Sequence, residues 1–428
     1  MKYTINAYDP KRNRIVLYEY DNLTNKVVNE HGFASYFWTE ERFAHLIERK
    51  WLRKLPLNKV ETIWEPPVKT IRKLKVQLGL NCNLRCAYCL QRDKADNSFP
   101  SRKDEDRFFE NWEKSGLVLE EGGRIELWGG EPIVYMKRLE TLLPRLRERF
   151  GHDKEISIIT NGTLLTDRIV DFLLDNEVHV IISHDGPGYP LRGETDPLDE
   201  PQIRATWMRL FEKTKGTRLM PAFHAVITPL NADIYETRKY LEEKTFPGVG
   251  VSFEGVVYDY SHSNKKLEFT DEALSRFSST VFTALTTEPQ RWPDLNRKAQ
   301  GFLKRMVNRN RPDTIKTHCE NFCGRTVVTD LHGNLLACQN APAKTAAIGA
   351  FGKPVTFKGI RINHWSERKD CRDCHLLSLC KGGCPILDAC DHVNACMSQT
   401  IFYNAIFTVV WFWLTGTIIE SIEPQTEA

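Results

Sequence analysis

The stretch NCNLRCAYC, residues 81–89, sets Cys82, Cys86 and Cys89 at a C-x3-C-x2-C spacing, with Tyr88 directly before the last of them. Three thiolates leave a four-coordinate metal ion or iron corner one ligand short. A structural zinc site usually closes its shell with two C-x2-C hooks, and this spacing offers only one. Thiolates suit a soft metal or iron, and the spacing leaves open what fills the fourth position.

The rest of the chain bounds what can surround such a loop. Its 428 residues are too many for one ordinary domain and suit a large barrel plus smaller units. Hydrophobic residues make up 41% and charged residues 27%, a globular composition rather than a disordered one. A net charge of +3 demands no polyanionic partner. Twelve cysteines are far too sparse for a disulfide scaffold, and the opening MKYTINAYDPKRNR has no apolar core of a signal peptide. The expectation is a protein of the reducing cytoplasm, or of a host's cytoplasm if viral, where clustered cysteines serve metal or redox chemistry. The apolar stretch IFYNAIFTVVWFWLTGTII (401–419) is about a bilayer span in length, but Asn404, Thr408, Thr415, Gly416 and Thr417 dilute it. It reads as a buried helix, with no membrane partner.

Between residues 76 and 255 short β-rich runs alternate with helical patterns. The runs are VQLGL (76–80), RIELWGG (124–130), ISIITNG (156–162), HVIISHDG (179–186), AFHAVIT (222–228) and VGVSFEG (249–255). Residues 136–150 repeat apolar positions at helical spacing, as do residues 166–176, where Thr166 is the expected N-cap. Such alternation predicts right-handed βαβ units and a parallel sheet, with chemistry at the C-terminal strand ends. Gly129-Gly130-Glu131, Asn161-Gly162 and Ser183-His184-Asp185-Gly186 fall there. Singly, each could be a turn and nothing more.

Together, the cysteine loop after the first strand, GGEP (129–132), TNGTLL (160–165) and SHDG (183–186) resemble the radical SAM superfamily over roughly residues 71–260. The resemblance implies an α/β fold with a partial (β/α)6 barrel. It implies that Cys82, Cys86 and Cys89 hold three irons of a [4Fe–4S] cluster, and that the fourth iron takes the amino and carboxylate groups of S-adenosylmethionine (SAM). By the same resemblance Tyr88 packs near the adenine, Gly129, Gly130 and Glu131 approach the methionine amino group, and Asn161 and Ser183 contact ribose or carboxylate. Asp185 and Gly186 read as turn formers.

Nine further cysteines follow residue 318. The pattern C-x9-G-x4-C ending at Cys338, then C-x2-C-x5-C-x3-C from Cys371 to Cys384, then a late cysteine, resembles the SPASM extension, a small Cys-rich C-terminal domain. That resemblance implies two auxiliary [4Fe–4S] clusters. One would use Cys319, Cys323, Cys338 and Cys384, the other Cys371, Cys374, Cys380 and Cys396, with Cys390 left over or exchanged for Cys396. Zinc sites are the alternative for this region. The expected division is an N-terminal β-hairpin and helix extension (1–70), the barrel (71–260), a helical linker (261–315) and the auxiliary-cluster domain (316–428).

The function implied is reductive cleavage of SAM to a 5′-deoxyadenosyl radical that abstracts hydrogen from a large substrate, with a flavodoxin or ferredoxin as low-potential electron donor. Sulfatase maturases, the best-known SPASM enzymes, place an aspartate base after the cysteine matching Cys338. Here that position is Gln339, which accepts no proton at neutral pH. The expectation is a cross-linking or rearranging maturase of a ribosomally made peptide, and not a sulfatase maturase. Residues 1–70 do not show the winged-helix module with which many such maturases grip a leader peptide. Residues 49–75 carry nine Lys/Arg with Trp51 and Trp64 interleaved, so a nucleic-acid substrate is the alternative: an isomerase or modifier of amino-acid-decorated thymidine in phage DNA. An iron–sulfur electron carrier is the non-enzyme alternative, and the GGEP and TNG motifs speak against it.

Overall fold

The computed structural model describes residues 1–29, 67–94, 99–259, 264–307, 317–351, 353, 355–356, 360 and 362–425. The chain opens with β1 (Lys2–Asp9), β2 (Arg14–Asp21) and β3 (Lys26–Asn29), an antiparallel meander whose alternating burial puts Tyr3, Ile5 and Ala7 of β1 on one covered face. The helix expected near residues 40–52 lies outside the described residues.

The alternating region follows. Its strands are β4 (Thr70–Gln77), β5 (Val118–Trp128), β6 (Glu155–Thr160), β7 (Val178–Ser183), β8 (Phe223–Ile227) and β9 (Val251–Val256). They are hydrogen-bonded in that order and every pairing is parallel. Each of the six β-rich runs overlaps a strand of one α/β sheet, which curves as a partial (β/α)6 barrel; the first strand lies earlier than expected, with only Val76 and Gln77 of VQLGL inside β4. Parallel neighbours require crossovers, and helices supply them: α1 (Arg102–Ser115), α2 (Met136–Phe150), α3 (Asp167–Asp175), α4 (Pro201–Thr214) and α5 (Ile234–Lys244). Helix α2 covers the expected residues and buries Leu139, Leu142, Leu143, Leu146 and Phe150. The Thr166 side chain accepts from the Ile169 amide and caps α3.

Helices α6 (Asp271–Thr287) and α7 (Pro293–Val307) lead to β10 (Thr326–Asp330), β11 (Asn334–Leu336) and β12 (Ala347–Ala350). Strand β10 pairs in parallel with β4, so the cysteine-bearing region continues the barrel sheet to nine strands. The chain ends with α8 (Ala389–Thr415) and β13 (Ile418–Pro424), which pairs antiparallel with β1. Helix α8 is packed on several sides, with Val393 and Met397 left exposed near its start. Phe402 meets Phe277 of α6, Phe407 meets Phe302 of α7, and Trp411 meets Tyr18 of β2, with ring centroids 5.2–6.0 Å apart. Among the described residues it is the one helix long and apolar enough to cross a bilayer, and half of its most apolar stretch is buried in the protein.

The basic strip reads differently in the fold. Residues 49–66, with Trp51 and Trp64, lie outside the described residues. On β4, Lys73 and Lys75 point to the same side, as strand periodicity requires, and meet carboxylates there. Lys73 lies 2.7 Å from Glu126 and 2.9 Å from Glu320, Lys75 lies 2.8 Å from Glu320, and Arg72 pairs with Glu120. The two lysines are largely enclosed and already paired, so they do not form a free strip for phosphates.

Candidate active site

The loop after β4 is built from below by the loop after β5. Gly130 N donates to Gly79 O and Glu131 N donates to Asn81 O, at 3.1 and 2.9 Å, while Asn81 N donates to the Tyr135 hydroxyl. The two loops pass so close that a Cβ on Gly130 would stand 2.4 Å from Asn81 O and 2.5 Å from Leu80 O. Glycine is needed at Gly130 for packing beneath the cysteine loop.

Glu131 is wholly buried and has both oxygens engaged. It accepts from Ile133 N at 3.0 Å, Thr160 Oγ1 at 2.6 Å and Asn161 N at 2.7 Å, which ties the ends of β5 and β6 together. Burial raises its pKa, and those three donors oppose the rise. Asn161 Nδ2 in turn donates to Asn83 Oδ1 within the cysteine loop, at 2.9 Å.

One open cavity of about 430 Å³ collects these groups. Cys82, Cys86, Tyr88, Cys89, Gly129, Gly130, Glu131, Asn161 and Ser183 all line it, so the barrel residues expected at the cluster and the cofactor share one space, whereas Gly162, His184, Asp185 and Gly186 do not line it. Its far wall is formed by β9, by Tyr258, and by Asn340 and Gln399 from the cysteine-rich region.

Arg192 and Glu254 at this cavity escaped the sequence reading, and Asp185, buried behind it, has a larger part than that reading gave it. Arg192 is buried beside the cysteine loop, 3.6 Å from Asp185, and donates to the Tyr88 hydroxyl at 3.2 Å; its Nε is buried without a partner. Asp185 is no mere turn former. It is fully buried, accepts from Val226 N at 2.8 Å and receives the Tyr88 hydroxyl proton. The other residue that escaped it is Glu254. The β8–β9 register slips between Ala225 and Val226, leaving Glu254 as the extra residue of a bulge. The bulge aims its carboxylate at the cavity, where Oε1 lies 2.7 Å from His224 Nδ1. Although its surroundings push the carboxyl up, the His224 hydrogen bond and charge, with Lys298, hold it below the usual range. A charged residue in the Gly- and Pro-rich run PGYPLRG was the available signal for Arg192. Nothing in the sequence marked the bulge.

Gln339 is turned to structure. Its side-chain oxygen accepts from Asn321 Nδ2 at 2.9 Å and its carbonyl from Gln77 Nε2 at 2.8 Å. Asn340, held by Gln91 Nε2 at 2.8 Å, reaches the cavity instead.

The C-terminal cysteines form two neighbourhoods. Cys371, Cys374, Cys380 and Cys396 line a small, largely apolar cavity of about 30 Å³, and Cys384 and His392 line it too. Burial pushes the Cys371 and Cys380 thiols up to about 12 and Cys374 up to about 11. Cys319, Cys338 and Cys384 influence one another electrostatically in a second group beside Lys75. Cys323 lies one turn beyond Cys319, with its sulfur 3.9 Å from Thr326 Oγ1. Cys390 is exposed, while Cys396 lines the cavity.

Residues 76–194 match the radical SAM superfamily. The chain is similar to the radical SAM cyclopropyl synthase TigE of Paramaledivibacter caminithermalis, at 25% identity over 226 residues, 48% of this chain and 44% of that protein. It is similar to the serine-type anaerobic sulfatase-maturating enzyme of Bacteroides thetaiotaomicron, at 30% identity over 140 residues, 29% of this chain and 32% of that one. The chain thus spans less than half the length of these relatives. Among solved structures, anSMEcpe with bound AdoMet and Cp18Cys peptide shares the fold, with a TM-score of 0.57 at 18% identity over 81% of this chain and 98% of that one.

Radical SAM proteins use SAM and a [4Fe–4S] cluster, and the residues present fit such groups. The donor sets are thiol-rich, as iron–sulfur clusters require. The sulfurs of Cys82, Cys89, Cys338 and Cys374 each accept the backbone amide two residues on, at 3.4 Å. Amides aimed at sulfur stabilise thiolate over thiol, and at Cys82, Cys338 and Cys374 they offset part of the burial that pushes the thiol up.

Proposed function

We propose, for a chain that carries a radical SAM domain at residues 76–194, that it is a SPASM-type enzyme acting on a large substrate, with a ribosomally made peptide as the reading best supported. Cys82, Cys86 and Cys89 would hold the SAM-binding cluster. Cys319, Cys323, Cys338 and Cys384 would hold one auxiliary cluster, and Cys371, Cys374, Cys380 and Cys396 the other. The proposed division keeps 1–70, 71–260, 261–315 and 316–428 as extension, barrel, linker and auxiliary-cluster domain. When bound, the cluster and SAM supply a 5′-deoxyadenosyl radical that takes a hydrogen atom from the substrate.

The chain's own residues position and shield that chemistry. The Gly130–Asn81 contact fixes the height of the cysteine loop. Tyr88 and Arg192, with Asp185 behind them, wall one side and exclude water. Glu254, held by His224, presents a carboxylate on the wall away from the cysteines, suited to a donor group of the substrate. The supporting observation is the cavity itself, which continues past the nine barrel residues to Asn340 and Gln399. A carboxylate on that wall and the pairing of Lys73 and Lys75 favour a peptide over a polyphosphate chain. Similarity to a cyclopropyl synthase supports a bond-forming outcome.

The test is anaerobic incubation of the reduced, reconstituted chain with SAM. 5′-Deoxyadenosine should form, and should be absent from a Cys82→Ala/Cys86→Ala/Cys89→Ala variant. Mass change in a precursor peptide would support the peptide reading; salt-sensitive binding and modification of DNA carrying amino-acid-decorated thymidine would replace it with the nucleic-acid one.

A further inference from the structure

Side chains of the N-terminal sheet reach across the molecule to the hook C-R-D-C that carries Cys371 and Cys374. Asn22 Nδ2 donates to Arg372 O at 2.9 Å and to Cys374 O at 2.8 Å. The Tyr3 hydroxyl donates to Asp373 O, and the Tyr20 hydroxyl shares its one proton between Asn25 Oδ1 at 3.1 Å and His375 O at 3.3 Å. Four consecutive carbonyls, 372 to 375, are thus each taken by a donor from the sheet. The donors are shielded from water: Asn22 and Tyr20 are 0% exposed and Tyr3 is 4% exposed.

The arrangement is costly to keep. Asn22 Oδ1 is buried without a partner, so the amide carries an unsatisfied acceptor in order to place both of its hydrogens. On its other side the hook is held by α8: His375 Nε2 lies 2.8 Å from Asn404 Oδ1, and its ring packs edge-on against Tyr3 and Phe407. Helix α8 also carries Cys396. The β1–β13 pairing ties the two ends of the described chain into the same sheet.

We propose that the N-terminal sheet positions the second auxiliary cluster: Asn22, Tyr3 and Tyr20 fix the carbonyls of residues 372–375, and thereby the direction of the Cys371 and Cys374 thiolates and the reduction potential of the cluster they hold. The proposal rests on the two-auxiliary-cluster reading above. Its physical basis is the field at the cluster. Donors bonded to the carbonyl oxygens offset their partial negative charge; without the donors the surroundings become more negative and favour the oxidised cluster.

Asn22→Leu keeps the volume and removes both donors. Asn22→Asp keeps the shape and turns an acceptor toward two carbonyls. Tyr3→Phe removes a single bond and leaves Asn22 in place. The variants are made in the full chain, reconstituted anaerobically, and read by iron content and by redox titration followed by electron paramagnetic resonance. A Cys82→Ala/Cys86→Ala/Cys89→Ala background isolates the auxiliary signals. One auxiliary signal should move to lower potential, by more for Asn22→Asp than for Asn22→Leu and least for Tyr3→Phe, while the other stays in place. Unmoved potentials in folded variants would overturn the proposal. So would equal movement of both signals, which marks general loosening. If Asn22→Asp does not fold, the other two variants decide. A wild-type chain that saturates at four irons removes the two-cluster reading and this proposal with it, and does so before any Asn22 variant is made.

Discussion

The Arg192 guanidinium lies 3.6 Å from the Asp185 carboxylate, and both are closed off from solvent beside the cysteine loop. A buried pair is costly to break because the surviving charge has no water to turn to. Arg192→Met leaves Asp185 buried with only the Tyr88 hydroxyl and Val226 N as partners. It should destabilise the protein by about 3–5 kcal/mol in urea unfolding. Adding Asp185→Asn to that variant should recover part of the loss. A double variant no better than the single one would show that the pair is not coupled.

Gly130 tests how the loops meet. A Cβ there stands 2.4 Å from a backbone oxygen of the cysteine loop, which cannot rotate aside as a flexible side chain would. Gly130→Ala should shift that loop, cost about 1–3 kcal/mol as overpacking does, and lower iron content by about four per chain. Normal iron with weakened SAM binding would instead point to the approach to the cofactor expected from the sequence.

The sequence carried the barrel because each strand is a short β-branched run and each helix repeats its apolar residues at helical spacing. Helix α2 and the Thr166 cap are the clearest instances. It carried the cysteine loop because spacing alone limits what three thiols can bind. It did not carry Glu254, since a bulge is a property of two strands in register and leaves no local mark. It did not carry the Asn22 contacts with residues 372 and 374, which lie about 350 positions away. The basic strip misled where β4 was concerned because charge counts ignore partners, and Glu126 and Glu320 are distant in sequence.

Asp196 predicts a pH dependence. It accepts from His184 Nε2 at 2.9 Å, Leu198 N at 2.7 Å and the Tyr240 hydroxyl. Against the upward push of burial, these partners hold its carboxyl far below the ordinary range. A depressed folded value means the contribution is complete above the unfolded pKa of about 4 and is lost as the pH falls below it. Asp196→Asn should therefore lower the unfolding midpoint at pH 7, by about 1–3 kcal/mol in stability, and the gap to wild type should narrow steadily below pH 4. A gap that stays constant down to pH 3 would count against the assignment.

Cys390 and Cys396 separate cleanly. Cys396 faces the small cavity with Cys371, Cys374 and Cys380, whereas Cys390 is exposed at the start of α8. With three [4Fe–4S] clusters the reconstituted chain should hold about twelve irons. Cys390→Ser should leave that content unchanged, and Cys396→Ser should lower it by about four. The reverse pattern would exchange their roles.

Gln339 bears on the reaction class. A sulfatase maturase needs a carboxylate base at this position, and here an amide oxygen is committed to Asn321 Nδ2 while the backbone carbonyl is held by Gln77. Replacing the amide by a carboxylate would set it facing the same Asn321 donor, near Lys75, which lies 3.2 Å from Asn321 Oδ1. That partner would keep the carboxylate ionised and turned away from the cavity, where Asn340 stands. Gln339→Asp should therefore produce no formylglycine from Cys- or Ser-containing sulfatase peptides, measured as the mass loss that aldehyde formation entails, and should leave SAM cleavage without peptide within about twofold of wild type, a difference of about 0.4 kcal/mol in the barrier. Formylglycine formation by the single variant would show that the site differs from a maturase only in this base, and the cross-linking or rearranging assignment would have to be withdrawn.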